Sequence, residues 1–197
     1  MSRRDAAELR TKLLDQGVAL LMERGYHGAG LQELVQRVGV PKGSFYNYFA
    51  SKEAFAAEVV AHYLDPFIAR LDGRLQRSDL TALESLTGYF DELIEETERM
   101  DFKGGCLLGN LIGEVGETDD LCAASLQAAV RRYRDKLSQG ISRAQQEGSL
   151  RRDMKAEEMA DLLVNFWQGA LLRMKIEKST RPLRQFSDLL LGDYFRA

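Results

Sequence analysis

The predicted fold is decided by residues 38–53, which read Val38-Gly39-Val40-Pro41-Lys42-Gly43-Ser44-Phe45-Tyr46-Asn47-Tyr48-Phe49-Ala50-Ser51-Lys52-Glu53. Just before them, apolar residues recur at helical spacing and predict a helix over 31–38. Gly39 is suited to end that helix, because glycine adopts the left-handed conformation easily. Pro41 suits the first turn of a following helix, predicted to reach about Phe49. Two helices joined by a glycine turn predict a helix-turn-helix.

This third helix is predicted to have one apolar and one polar side. Phe45 and Phe49 are four residues apart and are expected to face inward. The side chains expected to point outward are those of Lys42, Ser44, Tyr46, Asn47 and Tyr48. Gly43 would let a DNA backbone or base edge come close, and a short polar helix suits the major groove, about 12 Å wide. Lys52, at the start of the next helix, would hold a phosphate. The same spacing also fits a three-helix unit that never touches DNA.

The rest of the chain is also predicted to be helical. A first helix covers 4–24 and stops at Gly25, and later helices are expected to open at Asp79, at Asp119 or Asp120, at Asp153 and at Pro182. A short apolar segment follows from Cys106 to about Gly116. No stretch alternates cleanly between apolar and polar residues, so strands are not predicted and the fold class is all-α. We expect a helix-turn-helix domain over 1–52 and a helical body over 53–197.

Charge is distributed unevenly along the 197 residues. The first 52 residues hold 8 Lys/Arg and 5 Asp/Glu, and the remainder holds 19 and 25, although the total is only −3. A basic module attached to an acidic body is compatible with phosphate attraction at one end. No run approaches the roughly 18 apolar residues of a membrane span, and no secretory signal is recognised, so a cytoplasmic location is expected.

Enzyme and metal-site motifs are missing from the sequence. It contains no G-x-S-x-G, no phosphate-binding G-x-x-x-x-G-K-[ST] and no H-E-x-x-H. Two cysteines argue against a disulfide framework. With only two histidines as well, one zinc site built from His and Cys would use nearly all residues of both types. We therefore predict neither an enzyme nor a metal or cofactor. A helical adaptor for another protein remains an alternative to a DNA-binding protein.

Residues 26–53 closely resemble the DNA-binding segment of the tetracycline-repressor (TetR) family. The match lies in the run G-V-x-K-G-[ST]-[FL]-Y-x-[YH]-F-x-[SN]-K-E and in the preceding G-[YF]-x-[GA]. The resemblance implies a homodimer of about nine helices per subunit that reads a palindromic operator in double-stranded DNA and binds a small-molecule inducer in its body. It assigns DNA contact to Lys42, Gly43, Ser44, Tyr46, Asn47, Tyr48 and Lys52. Pro41 departs from the usual serine or threonine, which removes one phosphate-contacting hydroxyl.

Residues 104–111, Gly-Gly-Cys-Leu-Leu-Gly-Asn-Leu, together with Glu114, are similar to one branch of that family. This branch contains the repressor of N-ethylmaleimide reductase and its acrylate-responsive relatives, and its cysteine is tied to sensing reactive electrophiles. The resemblance therefore predicts a regulator, most simply a repressor, released from DNA by an electrophile or oxidant at Cys106. It also makes Asn110 a sensor-site residue. The alternative is a repressor with a noncovalent apolar inducer and no thiol chemistry.

The predicted surroundings of Cys106 favour a reactive thiol. The thiol would lie in the first turn of a helix, where free N–H groups and the helix dipole stabilise a thiolate. Lys175 is a candidate cationic partner, although a solvated lysine at a helix end is the alternative. A buried cysteine acting as an apolar filler is the competing interpretation for Cys106, and it is the prediction for Cys122.

The last two helices are the predicted dimer surface, because their apolar faces are wide enough for a four-helix bundle between subunits. Trp167 is a candidate ligand-site residue, but it could equally belong to the core of one subunit. Gly105, Gly109 and Gly113 recur every four residues and would allow close approach of either a ligand or another helix.

Overall fold

The computed structural model describes residues 3–115 and 120–197, and helices are the regular elements throughout these ranges. The α-helices are α1 Arg3–Gly28, α2 Leu31–Val38, α3 Lys42–Phe45, α4 Lys52–Leu75, α5 Ala82–Arg99, α6 Leu107–Val115, α7 Asp120–Gln146, α8 Ala156–Glu177 and α9 Arg181–Phe186. A π-helix, Ser187–Tyr194, follows α9, and an isolated β-bridge pairs Leu150 with Arg196. The predicted all-α fold is confirmed. Gly116 and Asp119, named in two predicted helix boundaries, lie outside the described residues.

Several predicted helix boundaries are confirmed by the backbone. Gly25 has φ 70° and ψ −179°, which interrupts the helical path of α1. Gly39 has φ 78° and donates its N–H to the carbonyl oxygen of Val35 at 3.0 Å, so it ends α2. The predicted start of the next helix at Lys52 is also confirmed, and the Ser51 hydroxyl oxygen accepts the Ala54 N–H there at 3.1 Å.

Two predicted helix starts are wrong, because the carboxylate expected to cap each helix pairs with a nearby arginine. Asp79 binds Arg77, and α5 is instead capped by Thr81, whose hydroxyl oxygen accepts the Glu84 N–H at 3.2 Å. Asp153 accepts two hydrogen bonds of 2.6 Å from Arg151, and α8 begins only at Ala156. Each short-range ion pair holds the aspartate away from the free N–H groups of the helix.

The described residues form two compact units. The first consists of the described parts of Met1–Asp65 and Leu107–Val130, and the second of Pro66–Cys106 and Arg131–Ala197. The first unit is larger than the predicted 1–52 domain, since it includes α6 and the beginnings of α4 and α7. The extent of a compact unit does not show which residues bind DNA and which belong to the body, so the domain boundary after residue 52 stays a prediction.

Each unit has an apolar core. In the first, α1 packs against α2 and α6. Its fully enclosed side chains include Leu13, Leu34, Val35, Phe45, Val59, Val60 and Leu111. In the second, α8 packs against α9, and α5 against the π-helix. Its enclosed side chains include Leu86, Tyr89, Phe90, Ile94, Leu137, Ile141, Leu163 and Phe195. Across residues 3–115 and 120–197, the helices lack the combined length and apolarity that a bilayer span needs.

Candidate functional site: the helix-turn-helix and the Cys106 junction

An aromatic cluster packs against the buried side of α3. The ring of Phe45 lies 5.3 Å from that of Phe55, and the ring of Phe49 lies 4.8 Å from it. All three side chains are buried. The predicted inward direction of Phe45 and Phe49 is therefore confirmed, and the anchor is the first turn of α4.

The helix α3 itself is shorter than predicted. It ends at Phe45, and residues 46–48 form turns rather than helix. The Tyr48 N–H still donates to the Phe45 carbonyl oxygen at 2.9 Å, and the Phe49 N–H donates to the same oxygen at 3.1 Å. The segment after Phe45 thus forms a tight turn, which places Phe49 in the buried cluster beside Phe55.

Most of the predicted DNA-contacting side chains are accessible. Lys42, Gly43 and Asn47 are exposed, Tyr46 has 53% of its surface accessible, and Ser44 is partly buried. Tyr48 differs from the prediction: its hydroxyl oxygen is enclosed and has no hydrogen-bond partner within the described residues. Tyr48 lies in the turn after Phe45 rather than in the predicted helix.

Lys52 is engaged within the first unit. Its ammonium group donates to the Tyr26 carbonyl oxygen at 3.1 Å and lies 5.0 Å from the centre of the Tyr26 ring. A lysine held in this way braces the junction between α1 and α2, whereas the sequence predicted a phosphate contact.

Glu114 of α6, named from the sequence only as part of the family resemblance, lies at this junction. One of its carboxylate oxygens accepts the Tyr26 N–H at 2.8 Å. The carboxylate also lies so close to Gly25 that a Cβ there would be 2.4 Å from Oε1. The positive φ of Gly25 hints at a close approach, but nothing in the sequence indicates which side chain makes it.

Cys106 immediately precedes α6 and follows two glycines with φ of 89° and 84°. The side-chain amide of Gln168, on α8, donates to the Cys106 sulfur at 3.1 Å. The thiol is partly buried, whereas Cys122 is fully buried as predicted. Gln168 was absent from the sequence prediction, since no local pattern links residues 62 positions apart.

Lys175 approaches the same junction through its alkyl chain. A Cβ on Gly105 would lie 3.0 Å from Lys175 Cδ, so glycine makes room for the lysine. Asn110, predicted beside the sensor, belongs to the first unit, where its amide lies 3.9 Å from the sulfur of Met22.

Aromatic groups of the second unit lie among buried neighbours. Trp167 packs against Phe90 and Phe186, with ring centres 5.1 and 5.3 Å away. The Tyr89 and Tyr133 hydroxyls are 2.9 Å apart. Burial raises the pKa of Tyr89 well above its usual value, so this phenol stays protonated. Trp167 therefore lies in an aromatic core, and its predicted role in ligand binding stays a prediction.

Known proteins match the chain at both ends. The model of the tetR family of bacterial regulatory proteins matches residues 13–59, and that of the tetracyclin repressor-like C-terminal domain matches residues 82–190. The HTH-type transcriptional repressor DhaR of Mycobacterium sp. (strain GP1) is 35% identical, over 90% of this chain and 88% of its own. The transcriptional regulator AcuR of Cereibacter sphaeroides is 32% identical, over 93% and 84%.

A solved structure agrees with these matches. The reduced form of Escherichia coli NemR superposes with a TM-score of 0.88 at 29% identity, covering 96% of this chain and 97% of that one. The HTH-type transcriptional repressor NemR of Escherichia coli is 30% identical over 93% of this chain and 92% of its own, so the predicted resemblance to this branch of the family is confirmed. With the helix-turn-helix and the helical body in place, the chain belongs to the TetR family of helix-turn-helix transcriptional regulators.

Proposed function

We propose that the chain is a repressor that leaves its operator when an electrophile or oxidant modifies Cys106. The observation that carries the proposal is the environment of the thiol: partly buried rather than sealed, preceded by two glycines, and in contact with the Gln168 amide at 3.1 Å. The Gln168 amide gives the sulfur a polar neighbour that apolar packing alone does not require.

Operator contact is assigned to the accessible part of the α3 segment. Lys42, Ser44, Tyr46 and Asn47 supply one ammonium, two hydroxyls and one amide for phosphates and base edges, and Gly43 adds no bulk beside them. Tyr48 and Lys52 can contact DNA only if the Tyr48 hydroxyl leaves its enclosed position and the Lys52 ammonium leaves the Tyr26 carbonyl oxygen. We therefore expect alanine variants of Tyr48 and Lys52 to change operator affinity less directly than variants of the accessible residues do.

Alanine variants of Tyr46 and Lys42 test operator binding. Each removes an accessible contact and should weaken operator affinity by about 1–3 kcal/mol, while the melting temperature stays unchanged. Fluorescence anisotropy with a duplex selected by the wild-type chain from a random pool measures the affinity. Arg99→Ala on α5 is the control for charge, because it removes one exposed cation outside the helix-turn-helix. Wild-type affinity in both α3 variants would contradict the assignment.

The proposed sensing step is attack of the Cys106 thiolate on an electrophilic carbon. A sulfur–carbon bond forms as the carbon–carbon π bond of the electrophile breaks. The thiol proton passes to water, and the electrophile's carbon next to its carbonyl group takes a proton from water. Cys106→Ser should remain bound to DNA when treated with an N-substituted maleimide, whereas the wild-type chain is released and gains the reagent's mass. Cys122→Ser is the matched control, since its buried thiol is expected to be unreactive. Normal release of Cys106→Ser would instead support the noncovalent inducer.

We further propose that two copies associate through α8 and the π-helix. On α8, the side chains of Phe166, Leu172 and Ile176 are 55%, 56% and 86% exposed, and Leu189 of the π-helix is 51% exposed. Large apolar side chains with this exposure suit burial by a second copy. Leu172→Glu should convert a dimer to a monomer in sedimentation velocity. Leu121→Glu, at a position that is 51% exposed but lies on α7, should leave the dimer intact.

A further inference from the structure

The backbone at Gly25 starts a new helical turn. Its φ of 70° and ψ of −179° belong to a region that is essentially restricted to glycine. The Gly25 carbonyl oxygen accepts the Ala29 N–H at 3.2 Å, so residues 26–28 form a separate turn directly before α2. The first N–H groups of such a turn have no partner within it.

Glu114 supplies that partner from another helix. Its Oε2 accepts the Tyr26 N–H at 2.8 Å, and the ring nitrogen Nε2 of His27 lies 3.3 Å from its backbone carbonyl oxygen. A carboxylate at the start of a helical turn is also favoured by the local dipole. Glycine is required at position 25, because a Cβ would lie 2.4 and 2.6 Å from the two carboxylate oxygens.

Tyr26 is held at both ends of its backbone. The N–H donates to Glu114 of α6, and the carbonyl oxygen accepts the Lys52 ammonium of α4 at 3.1 Å. The side chain is only 7% exposed. The junction that sets the direction of α2, and hence of α3, is thus fixed by two charged groups distant in sequence.

We propose that Glu114 is a positioning residue for operator binding, which orients the helix-turn-helix through Tyr26 without touching DNA. The inference rests on the proposed DNA-binding function. Contacts to base edges tolerate displacements of only about 0.5 Å. A junction released from Glu114 allows α2 and α3 to sample orientations that keep phosphate attraction but lose base contacts.

Two variants of Glu114 test the proposal. Glu114→Ala should weaken affinity for the selected operator duplex about tenfold, the loss expected for one charge-assisted hydrogen bond. Glu114→Gln keeps an acceptor oxygen and the side-chain volume, so its operator affinity should fall less. If the alanine variant unfolds, the glutamine variant alone tests the proposal. Affinity for a scrambled duplex of equal length should stay within twofold of wild type for both. Hydrogen exchange at the Tyr26 amide should accelerate in the same order.

The control is Glu95→Gln on α5, which removes one exposed negative charge and should leave every readout at the wild-type value. Wild-type operator affinity in both Glu114 variants would overturn the inference. So would a parallel loss for operator and scrambled duplex, since that pattern indicates general unfolding rather than misorientation. A wild-type chain without preference for any duplex would remove the proposed function itself, and the inference with it.

Discussion

The junctions at Gly25 and at Gly104–Gly105 use the same backbone device with different chemistry. Each breaks the chain path with positive φ, precedes a helical segment, and leaves room that a side chain from another helix enters. At Gly25 the entering group is the Glu114 carboxylate, whereas at Gly105 it is the alkyl chain of Lys175. The carboxylate satisfies a backbone N–H and fixes geometry. The second junction is next to a thiol that one polar group, the Gln168 amide, contacts at 3.1 Å.

The comparison predicts its largest effect for Gly25→Ala. The free energy of unfolding should fall by about 4 kcal/mol, since alanine is strained in this conformation and its Cβ displaces the carboxylate. Urea denaturation followed by circular dichroism measures the loss. Gly73→Ala, in the exposed part of α4 with no atom near its Cβ, is the control and should be neutral or slightly stabilising. A loss below about 1 kcal/mol would show that the carboxylate site is not constrained.

Gly105→Ala should cost less, about 1–2 kcal/mol in the same measurement. Its φ of 84° strains alanine, but the neighbour in the way is a flexible lysine chain that can move. If Gly105→Ala destabilises as strongly as Gly25→Ala, the distinction between a fixed and a yielding neighbour is wrong.

Gln168→Leu should slow alkylation of Cys106 by iodoacetamide roughly threefold at fixed pH. The variant keeps the side-chain volume but removes the N–H donor that contacts the sulfur at 3.1 Å. Intact mass spectrometry over time gives the rate, and Gln185→Leu, exposed on α9, serves as control. An unchanged or faster reaction would reduce Gln168 to a packing residue.

Lys175→Met should have the smallest effect, roughly a twofold slower alkylation that disappears at high salt. Methionine keeps much of the alkyl packing beside Gly105, so the free energy of unfolding should hardly change. A rate that does not depend on salt in either protein would favour the solvated-lysine interpretation.

The sequence predicts those features that depend on one residue or its immediate neighbours. The breaks at Gly25 and Gly39 depend on one residue's conformational freedom, and both were predicted correctly. Capping depends on the choice between neighbours: Thr81 caps α5 because Glu84 completes a reciprocal pair, while Asp79 is taken by Arg77. That choice is not determined by residue type alone.

Long-range contacts lay beyond the sequence patterns. Glu114 reaches Tyr26 across 88 positions, and Gln168 reaches Cys106 across 62. Neither residue type is unusual on a helix, and only the packed chain reveals its partner. Lys52 shows the same limit: the bond from its ammonium group to the Tyr26 carbonyl oxygen was not foreseen from the sequence, and its phosphate contact stays a prediction.

The membership of α6 in the first compact unit has a practical consequence for hybrid regulators. A fusion that transplants only residues 1–52 onto a foreign body would leave Glu114 behind, and the Tyr26 N–H would lose its acceptor. Moving operator specificity between such proteins therefore calls for exchanging Leu107–Val115 together with the first four helices, as a discontinuous cassette.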